Sequence, residues 1–491
     1  MKGIMKLTTL SLTTIAILSF AVAVFAQQPQ ATPPPPTAPR TVQFPKPVEK
    51  ILANGLRVVV VQRSEMPLIS SQLLIKSGGE VDPADLSGNA DMAAALLTKG
   101  TTTRSATQIA EAIEALGGLI NSGARWDSSV VSVDVMSSRI GPAMEILADV
   151  VRNPAFKDEE IDRLRRQYLN NLKVSLGQPG AIARFAAARL VYRDAPYGHP
   201  LAGTPESLPR IKREDIVKLH GMFYRPDNAI LVIGGDITPE NGFALGQKYF
   251  GDWQKPATEL RTMTMTTPAS EPGNRRILVI DMPDAGQAAV LAVRSGINRS
   301  SPDYFRGIVS NSILNGYSGR LNWEIRVKRG LSYGAGSAMD TRRWAGSFSA
   351  SAQTKNQSGA EVASLTLAEI AKLATGDLPE TELTTRKASL NGGFARGLET
   401  VNGLVGQVSS LAIYGVNFDQ INQFVGSVQA VKAEDVKSFA ATKLNVDSTS
   451  VIVVGNATEF LPALQKAFPQ VEVIKVSELD LNSATLRRPK I

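Results

Sequence analysis

Residues 211–216 read Ile-Lys-Arg-Glu-Asp-Ile, and residues 431–436, 220 positions further along, read Val-Lys-Ala-Glu-Asp-Val. Two more pairs of similar segments keep the same order at offsets of 218 and 221: Ile-Lys-Ser-Gly at 75–78 with Val-Arg-Ser-Gly at 293–296, and Leu-Val-Ile-Gly-Gly-Asp at 231–236 with Ile-Val-Val-Gly-Asn-Ala at 452–457. Solenoid repeats are only roughly 20–45 residues long, so a period of this length indicates a duplicated domain.

The two copies share one order of sequence patterns. Each begins with an apolar strand and ends with a buried strand, at 56–61 and 229–233 in the first copy and at 277–280 and 450–454 in the second. Helical segments lie between the strands without strict alternation, which predicts an α+β fold with helices covering a sheet in each copy. The predicted units are an N-terminal domain at 48–262, a C-terminal domain at 263–476 and a tail at 477–491.

The N-terminus has the pattern of a signal peptide. Two lysines and an apolar stretch at 10–24 precede small residues at the −3 and −1 positions of a cleavage site after Ala26. The apolar stretch is short for an uncleaved membrane anchor, which needs roughly 20 residues. We therefore expect a signal peptide at 1–26 and a Pro-rich linker at 27–47. The mature protein is expected to be exported, periplasmic or extracellular, and without a stable membrane span.

The composition excludes several kinds of site. The 491-residue chain has no Cys and only two His, His199 and His220. The absence of Cys excludes disulfides, Cys-ligated zinc, iron–sulfur clusters and thiol catalysis. Two His that lie 21 residues apart exclude a three-His site and a helical His pair, so we expect both to be structural. The net charge of +8 comes without basic runs or interleaved aromatic residues and does not favour nucleic-acid binding.

One segment of the first copy corresponds to a known metal-binding helix. Residues 87–101 read Ser-Gly-Asn-Ala-Asp-Met-Ala-Ala-Ala-Leu-Leu-Thr-Lys-Gly-Thr. This segment resembles the zinc-binding helix of the pitrilysin/insulinase family of zinc metallopeptidases (inverzincins), which carries His-x-x-Glu-His. The two His of that motif bind zinc from one helix face, and the Glu is the general base for the metal-bound water. The matching positions here are Asp91, Ala94 and Ala95, so both imidazoles and the base are missing.

The resemblance also locates the third zinc ligand of the family, a Glu further along the chain. It matches Leu172, and the neighbouring Asn170 and Asn171 are not carboxylates either. The resemblance therefore implies a degenerate zinc site and no metal in this chain. Asp91 is either an ordinary solvated or helix N-terminal Asp or a residual metal ligand; we expect the ordinary role, since one carboxylate without convergent partners is not a metal site.

The second copy carries a different motif of the same family. Residues 321–333, Leu-Asn-Trp-Glu-Ile-Arg-Val-Lys-Arg-Gly-Leu-Ser-Tyr, resemble the motif of its C-terminal domain. In active members an Arg and a Tyr at this spacing contact the peptide and help to polarise the scissile carbonyl, and Arg326 and Tyr333 match them. A guanidinium and a phenol are suitable donors to an oxygen that gains charge. The alternative is a salt-bridged helix Arg and a buried strand Tyr.

A serine-hydrolase motif is also present by chance. Gly330 to Gly334 fits the pattern G-x-S-x-G. The nucleophile elbow needs a strand before the Ser and a helix after it, and the predicted order here is the reverse. A Ser–His mechanism is therefore not expected.

The resemblance spans about residues 48–476. It implies two homologous domains, each a mainly antiparallel β-sheet flanked by helices, that enclose a chamber. It also implies a half-site, because the Arg and Tyr are present and the zinc ligands are not. We expect the non-zinc subunit of an exported heterodimeric metallopeptidase, inactive alone, with zinc in a sister subunit and an unfolded peptide as substrate, held partly by strand addition to a sheet edge. The alternative is a non-catalytic peptide-binding or scaffolding homologue.

Overall fold

The computed structural model describes residues 43–265 and 275–488. The predicted signal peptide, most of the linker and the last three residues of the tail lie outside these ranges. The described residues belong to one compact unit that contains both halves of the duplication. No helix of the described residues is both long enough and apolar enough to cross a membrane.

The described strands form two six-stranded sheets. The first has the order β1-β2-β6-β3-β5-β4, with β1 Val48–Ile51, β2 Arg57–Gln62, β3 Leu68–Ile75, β4 Leu119–Ala124, β5 Ser129–Met136 and β6 Ala229–Gly235. The second has the order β12-β7-β11-β8-β10-β9, with β7 Ile277–Asp281, β8 Ala288–Ser295, β9 Ala335–Asp340, β10 Ser347–Thr354, β11 Ser450–Gly455 and β12 Val471–Lys475. Neighbours are antiparallel except β2 with β6 and β7 with β11 and β12. The predicted α+β fold with two homologous, mainly antiparallel sheets is confirmed, whereas the chamber stays a prediction.

Helices cover both faces of each sheet. Those of the first half are α1 Asn89–Leu96, α2 Ala106–Ala115, α3 Ile140–Arg152, α4 Asp158–Leu176, α5 Pro179–Tyr192, α6 Arg213–Phe223 and α7 Pro239–Phe250. Those of the second half are α8 Tyr304–Leu314, α9 Arg320–Asn322, a π-helix at Trp323–Lys328, α10 Gly359–Thr375, α11 Glu380–Gly397, α12 Val401–Ile413, α13 Gln420–Ala430, α14 Ala433–Lys443 and α15 Ala457–Ala467. Pro179 begins α5 at a position where its missing N–H costs no helical hydrogen bond.

The two halves exchange one helix each. Helix α5 of the first half packs against β8 and β11 of the second sheet, where Ile182 joins a buried cluster with Leu291. Helix α12 of the second half packs in the same way against β3 and β6 of the first sheet. Gly234 permits this close approach, because a Cβ atom there would lie 2.4 Å from a methyl carbon of Val405 on α12. Each half therefore completes the core of the other.

The duplication predicted from the sequence is visible in the backbone. Lys212 and Lys432, 220 residues apart, each precede a helix and donate a backbone N–H at 2.9 Å to the carboxylate of an Asp three residues further on. Gly235 and Gly455, also 220 residues apart, end equivalent strands. The first sequence match, at an offset of 220, is therefore correct in the structure.

The other two sequence offsets, 218 and 221, are wrong by one residue. The offset of 218 paired Ile75 with Val293, but Ile75 faces the helices of its own half and Val293 faces the exchanged helix. Leu74 is the residue that faces the exchanged helix in the first half, so β3 and β8 align at 219. A shift of one residue moves every strand side chain to the opposite face, so only the structure fixes this register.

The C-terminal tail binds the first half. Leu481 and Leu486 are buried in the cluster that contains α5. The Arg189 guanidinium on α5 donates to the carbonyl of Leu481 at 2.8 Å, and Thr204 donates to the side chain of Asn482 at 2.9 Å. The described part of the predicted tail, up to residue 488, is thus packed against the first half.

Candidate functional site

The three degenerate zinc positions lie together on α1. The side chain of Ala94 is fully buried, and Ala95 packs partly buried against the core of the first half. Asp91 accepts a hydrogen bond from the Tyr168 hydroxyl on α4, with 3.0 Å between the oxygens. The family resemblance indicated the third zinc ligand on helix α4, at Leu172. Tyr168 lies on the same helix, one turn before Leu172.

The environment of Asp91 is that of a carboxylate held by neutral donors. Burial raises its pKa above the usual range, and the hydrogen bonds from Tyr168 and the Ala124 backbone oppose that rise. The pKa of the Tyr168 phenol is raised by burial and by the nearby Asp91 charge. Leu172 is buried in the core, and the two Asn before it are exposed. Asp91 therefore has a structural role: its hydrogen bond with Tyr168 links α1 to α4.

A zinc ion does not fit the residues at this place. Tetrahedral zinc sites take three or four N, S or O donors. Ala94 and Ala95 have no side-chain donor, and the Asp91 carboxylate already accepts from Tyr168. Within 43–265 and 275–488, no three His, Cys, Asp or Glu residues come together in a way that could hold a metal ion.

Both histidines are engaged with the backbone. His199 is buried, with its ring nitrogens 3.1 Å from the carbonyl oxygens of Pro200 and Gly79, and burial lowers its pKa to about 4. The His220 Nε2 lies 2.8 Å from the carbonyl oxygen of Val151, and burial lowers its pKa as well. These contacts support the structural role that the sequence suggested for both.

Arg326 lies on the π-helix without an ion pair. The carboxylate of Glu324 binds Lys328 at 3.2 Å and Arg329 at 2.9 Å, and so takes up the other two basic side chains of the segment. No described residue forms a hydrogen bond or ion pair with the Arg326 side chain; its guanidinium lies 5.2 Å from the ring centre of Tyr317. Such a cation–π contact orients a guanidinium and leaves its N–H groups available. Single π-turns of this kind occur frequently at functional sites.

Tyr333 projects from a tightly fixed loop. Its side chain is 92% exposed. The Ser332 hydroxyl donates to the Gly334 carbonyl at 2.7 Å and accepts from the Gly334 N–H at 3.1 Å. The Thr354 hydroxyl on β10 donates to the carbonyl of Leu331 at 2.7 Å. The alternative of a salt-bridged Arg and a buried strand Tyr is therefore wrong for both residues.

A cleft of about 480 Å³ opens beside Tyr333. Its walls come from the Tyr333 loop, from β8 and β10 of the second sheet, and from α5 of the first half. Arg184 on α5 and Gln353 on β10 supply polar groups, and Arg184 is exposed without a described partner. No local sequence pattern indicated Arg184, because the packing of α5 on the other half is a long-range contact. Tyr333 lies at this cleft. No described hydrogen bond or ion pair connects either Tyr333 or Arg326 with Asp91.

Comparisons with known proteins agree with this geometry. The insulinase (peptidase family M16) model matches residues 57–205, and the model of the peptidase M16 inactive domain matches residues 210–390. The chain belongs to the insulinase (M16) family. The resemblance stated from the sequence is confirmed.

M16-type relatives cover most of the chain. An uncharacterized zinc protease of Mycobacterium leprae is 26% identical over 398 residues, which are 80% of this chain and 88% of that protein. An uncharacterized zinc protease of Bacillus subtilis is 20% identical over 401 residues, 82% and 96% of the two chains. The solved M16 inactive domain from Pseudomonas fluorescens has a TM-score of 0.78 at 25% identity and covers 83% of this chain and 98% of its own. A Helicobacter pylori protease has the same fold, with a TM-score of 0.77, 21% identity and coverage of 84% and 100%.

A buried polar cluster joins the two M16 halves and has no counterpart in the sequence predictions. Arg343 of the second half donates to the carbonyls of Lys76 and Asp127 at 3.0 and 2.7 Å and forms an ion pair with Glu80 at 3.3 Å. The Tyr414 hydroxyl donates to the Asp127 carboxylate at 3.1 Å. Burial raises the pKa of Glu80 to about 8, and the Arg343 charge opposes the rise. Its residues lie far apart in the sequence, so no local pattern could have identified it.

Proposed function

We propose that this chain is the non-zinc subunit of an exported heterodimeric metallopeptidase of the insulinase family. A zinc-bearing sister chain supplies the His-x-x-Glu-His motif and the metal. This chain supplies Arg326, Tyr333 and half of the chamber wall. The observation that carries the proposal is the contrast between two sites. The α1 positions offer a single carboxylate, Asp91, which is already hydrogen-bonded, whereas Arg326 has no described ion pair and the exposed Tyr333 lines a cleft.

The free state of the two donors suits transition-state stabilisation. A guanidinium that is already paired must break its ion pair before it binds substrate, and Arg326 avoids this cost. Preorganised donors are most effective when they need no rearrangement at the moment of reaction. The hydrogen bonds of Ser332 and Thr354 hold the Tyr333 loop in a similar way. Zinc in the sister chain would activate the attacking water, and Arg326 and Tyr333 would donate to the carbonyl oxygen of the scissile peptide.

The substrate class is an unfolded peptide. Strand β9 is the outer strand of the second sheet, pairs with β10 alone and begins two residues after Tyr333. The outward N–H groups of Ala335 and Ser337 on β9 donate to the side chains of Asn322 and Asn315 at 3.3 Å. An extended peptide would add to this edge by replacing those two side-chain contacts with backbone hydrogen bonds. The signal-peptide pattern at the N-terminus supports export. The zinc-protease names of the relatives support a peptidase complex.

The test is a reconstitution. The mature chain is purified alone and together with a family member that carries an intact His-x-x-Glu-His motif, and peptide cleavage and bound zinc are measured in both samples. The expected result is cleavage and stoichiometric zinc in the mixture only. Cleavage by the isolated, metal-stripped chain would overturn the proposal.

Variants separate the subunit role from the alternative of a non-catalytic binding or scaffolding homologue. In the pair, Arg326→Ala and Tyr333→Phe are expected to lower turnover by roughly 10²–10³-fold, the effect of losing one transition-state donor. Lys328→Ala is the matched control, since Lys328 lies on the same π-helix and is paired with Glu324. Wild-type turnover in both variants, together with retained peptide binding, would favour the scaffolding role.

A further inference from the structure

A second cleft lies where the two halves and the C-terminal tail meet. Its volume is about 500 Å³. Four arginines line it together with two hydroxyls and one carboxylate: Arg189, Arg193, Arg276, Arg487, Ser450, Thr485 and Glu472. Arg189 and Arg193 come from α5 and its end, Arg276 and Glu472 from the second sheet, and Arg487 from the tail. The cleft is therefore strongly basic and is shared by three segments of the fold.

The positive charges of this cleft are not balanced by its one carboxylate. Glu472 is fully engaged by Arg276, whose Nε and Nη2 donate at 2.8 and 2.9 Å. Arg189 is only 5% exposed, and its nearest carboxylate, Asp194, lies 3.5 Å away and is itself exposed. Arg487 donates to the carbonyl of Val473 at 2.8 Å and lies 4.0 Å from the Glu478 carboxylate. The buried Arg189 donates to two backbone carbonyls, so the exposed Arg193 and Arg487 offer the most accessible donors of the cleft.

Arg193 adds an independent observation. Its backbone has φ 51° and ψ −123°, a conformation that favours glycine over any residue with a Cβ. Its carbonyl accepts from Arg189 Nη1 at 3.0 Å, and its side chain has no described hydrogen bond or ion pair. Strained residues of this kind cluster at ligand sites, where the side chain has a use that offsets the strain.

We propose that this cleft binds the phosphate group of a small molecule. Guanidinium forks match phosphate oxygens, and donors that come from three separate segments suit a tetrahedral anion better than a planar carboxylate. The volume exceeds that of one phosphate, so the ligand carries a second group. A bound phosphate links the first half, the second sheet and the tail, and it stabilises the closed arrangement of all three. This site is separate from Arg326 and Tyr333 and does not depend on the proposed peptidase role.

The test uses the purified full-length mature chain and calorimetric titration with inorganic phosphate and pyrophosphate at constant ionic strength. We expect saturable binding, tighter for pyrophosphate, and a melting temperature that rises with ligand. Arg193→Gly and Arg487→Ala each raise Kd about tenfold or more, because each removes a charge-assisted contact. Arg166→Ala, an exposed arginine of α4 without a described ion pair, leaves Kd unchanged.

The choice of Arg193→Gly keeps the test interpretable. Glycine accepts the backbone conformation of residue 193, so this variant retains the fold, and its melting temperature without ligand is not lowered. Absence of binding to both phosphate probes, unchanged Kd in the two variants, or tighter binding of succinate than of phosphate would each overturn the proposal.

Discussion

The hydrogen bond between Tyr168 and Asp91 can be tested by removing one hydroxyl. Tyr168→Phe leaves the ring in place and removes the donor that lies 3.0 Å from the Asp91 carboxylate. Hydrogen bonds to a charged group contribute about 1.5–3 kcal/mol, against about 0.5–1.5 kcal/mol for a neutral pair. We expect the variant to lose about 1.5–3 kcal/mol of unfolding free energy at pH values above the folded-state pKa of Asp91, where the carboxylate is ionised.

The pH dependence of this loss has a definite sign. The Tyr168 hydrogen bond lowers the pKa of Asp91, and burial raises it. Removal of the hydroxyl therefore raises the folded-state pKa further, and the folded variant holds its proton over a wider pH range. The deficit of the variant grows as pH rises through that folded pKa. Below about pH 4, where Asp91 is protonated in both the folded and unfolded states, only the neutral contribution of about 1 kcal/mol remains.

The assay is urea unfolding at pH 4 and pH 8 in a double-mutant cycle with Asp91→Ala, which removes both acceptor oxygens. The cycle isolates the coupling between the two side chains. Tyr249→Phe is the control, because the Tyr249 hydroxyl has no hydrogen bond to a described residue. A coupling energy near zero at pH 8, or a deficit that shrinks as pH rises, would refute the interpretation of Asp91 as a link between α1 and α4.

Three further predictions address the halves and the site. Gly234→Ala places a methyl carbon 2.4 Å from a side-chain carbon of Val405 and should cost about 1–3 kcal/mol in urea unfolding; a neutral effect would contradict the close packing of the exchanged helix. Arg343→Met leaves the carbonyls of Lys76 and Asp127 without this donor and should cost about 1–3 kcal/mol in the same assay, while a loss below about 0.5 kcal/mol would speak against the polar cluster as a link between halves. Tyr317→Leu removes the ring beneath Arg326, worth about 0.5–1 kcal/mol, so kcat/KM of the reconstituted pair should fall about two- to fivefold; unchanged kcat/KM would exclude an orienting role.

Local patterns in the sequence predicted the features that depend on local structure. The capping segment before α6 recurs before α14, and apolar runs identified the strands β2, β6, β7 and β11. The loss of metal donors at Asp91, Ala94 and Ala95 is visible in the sequence because ligand chemistry depends on residue type alone. Arg326 and Tyr333 were singled out because residues 321–333 resemble the family motif, and the sequence could not show that their side chains lack described ion pairs.

Features that depend on long-range packing could not be predicted in this way. The exchange of α5 and α12 between the halves has no local sequence signature. An apolar helix face has the same sequence pattern whether it covers the sheet of its own half or that of the other half. Arg184 at the first cleft and Arg193 at the second follow from that exchange, since both lie on or just after α5. The register error of one residue has a related cause: similarity of short apolar segments does not specify which face of a sheet they occupy.

The most direct test of the central claim is peptide turnover by the reconstituted pair with wild-type, Arg326→Ala or Tyr333→Phe forms of this chain. Pair formation is checked by size-exclusion chromatography, and zinc content by elemental analysis. We predict equal assembly and equal zinc in all three, no cleavage by this chain alone, and turnover that is roughly 10²–10³-fold lower in the variants. Cleavage by this chain without a partner, or full turnover by both variants in the pair, would contradict this prediction.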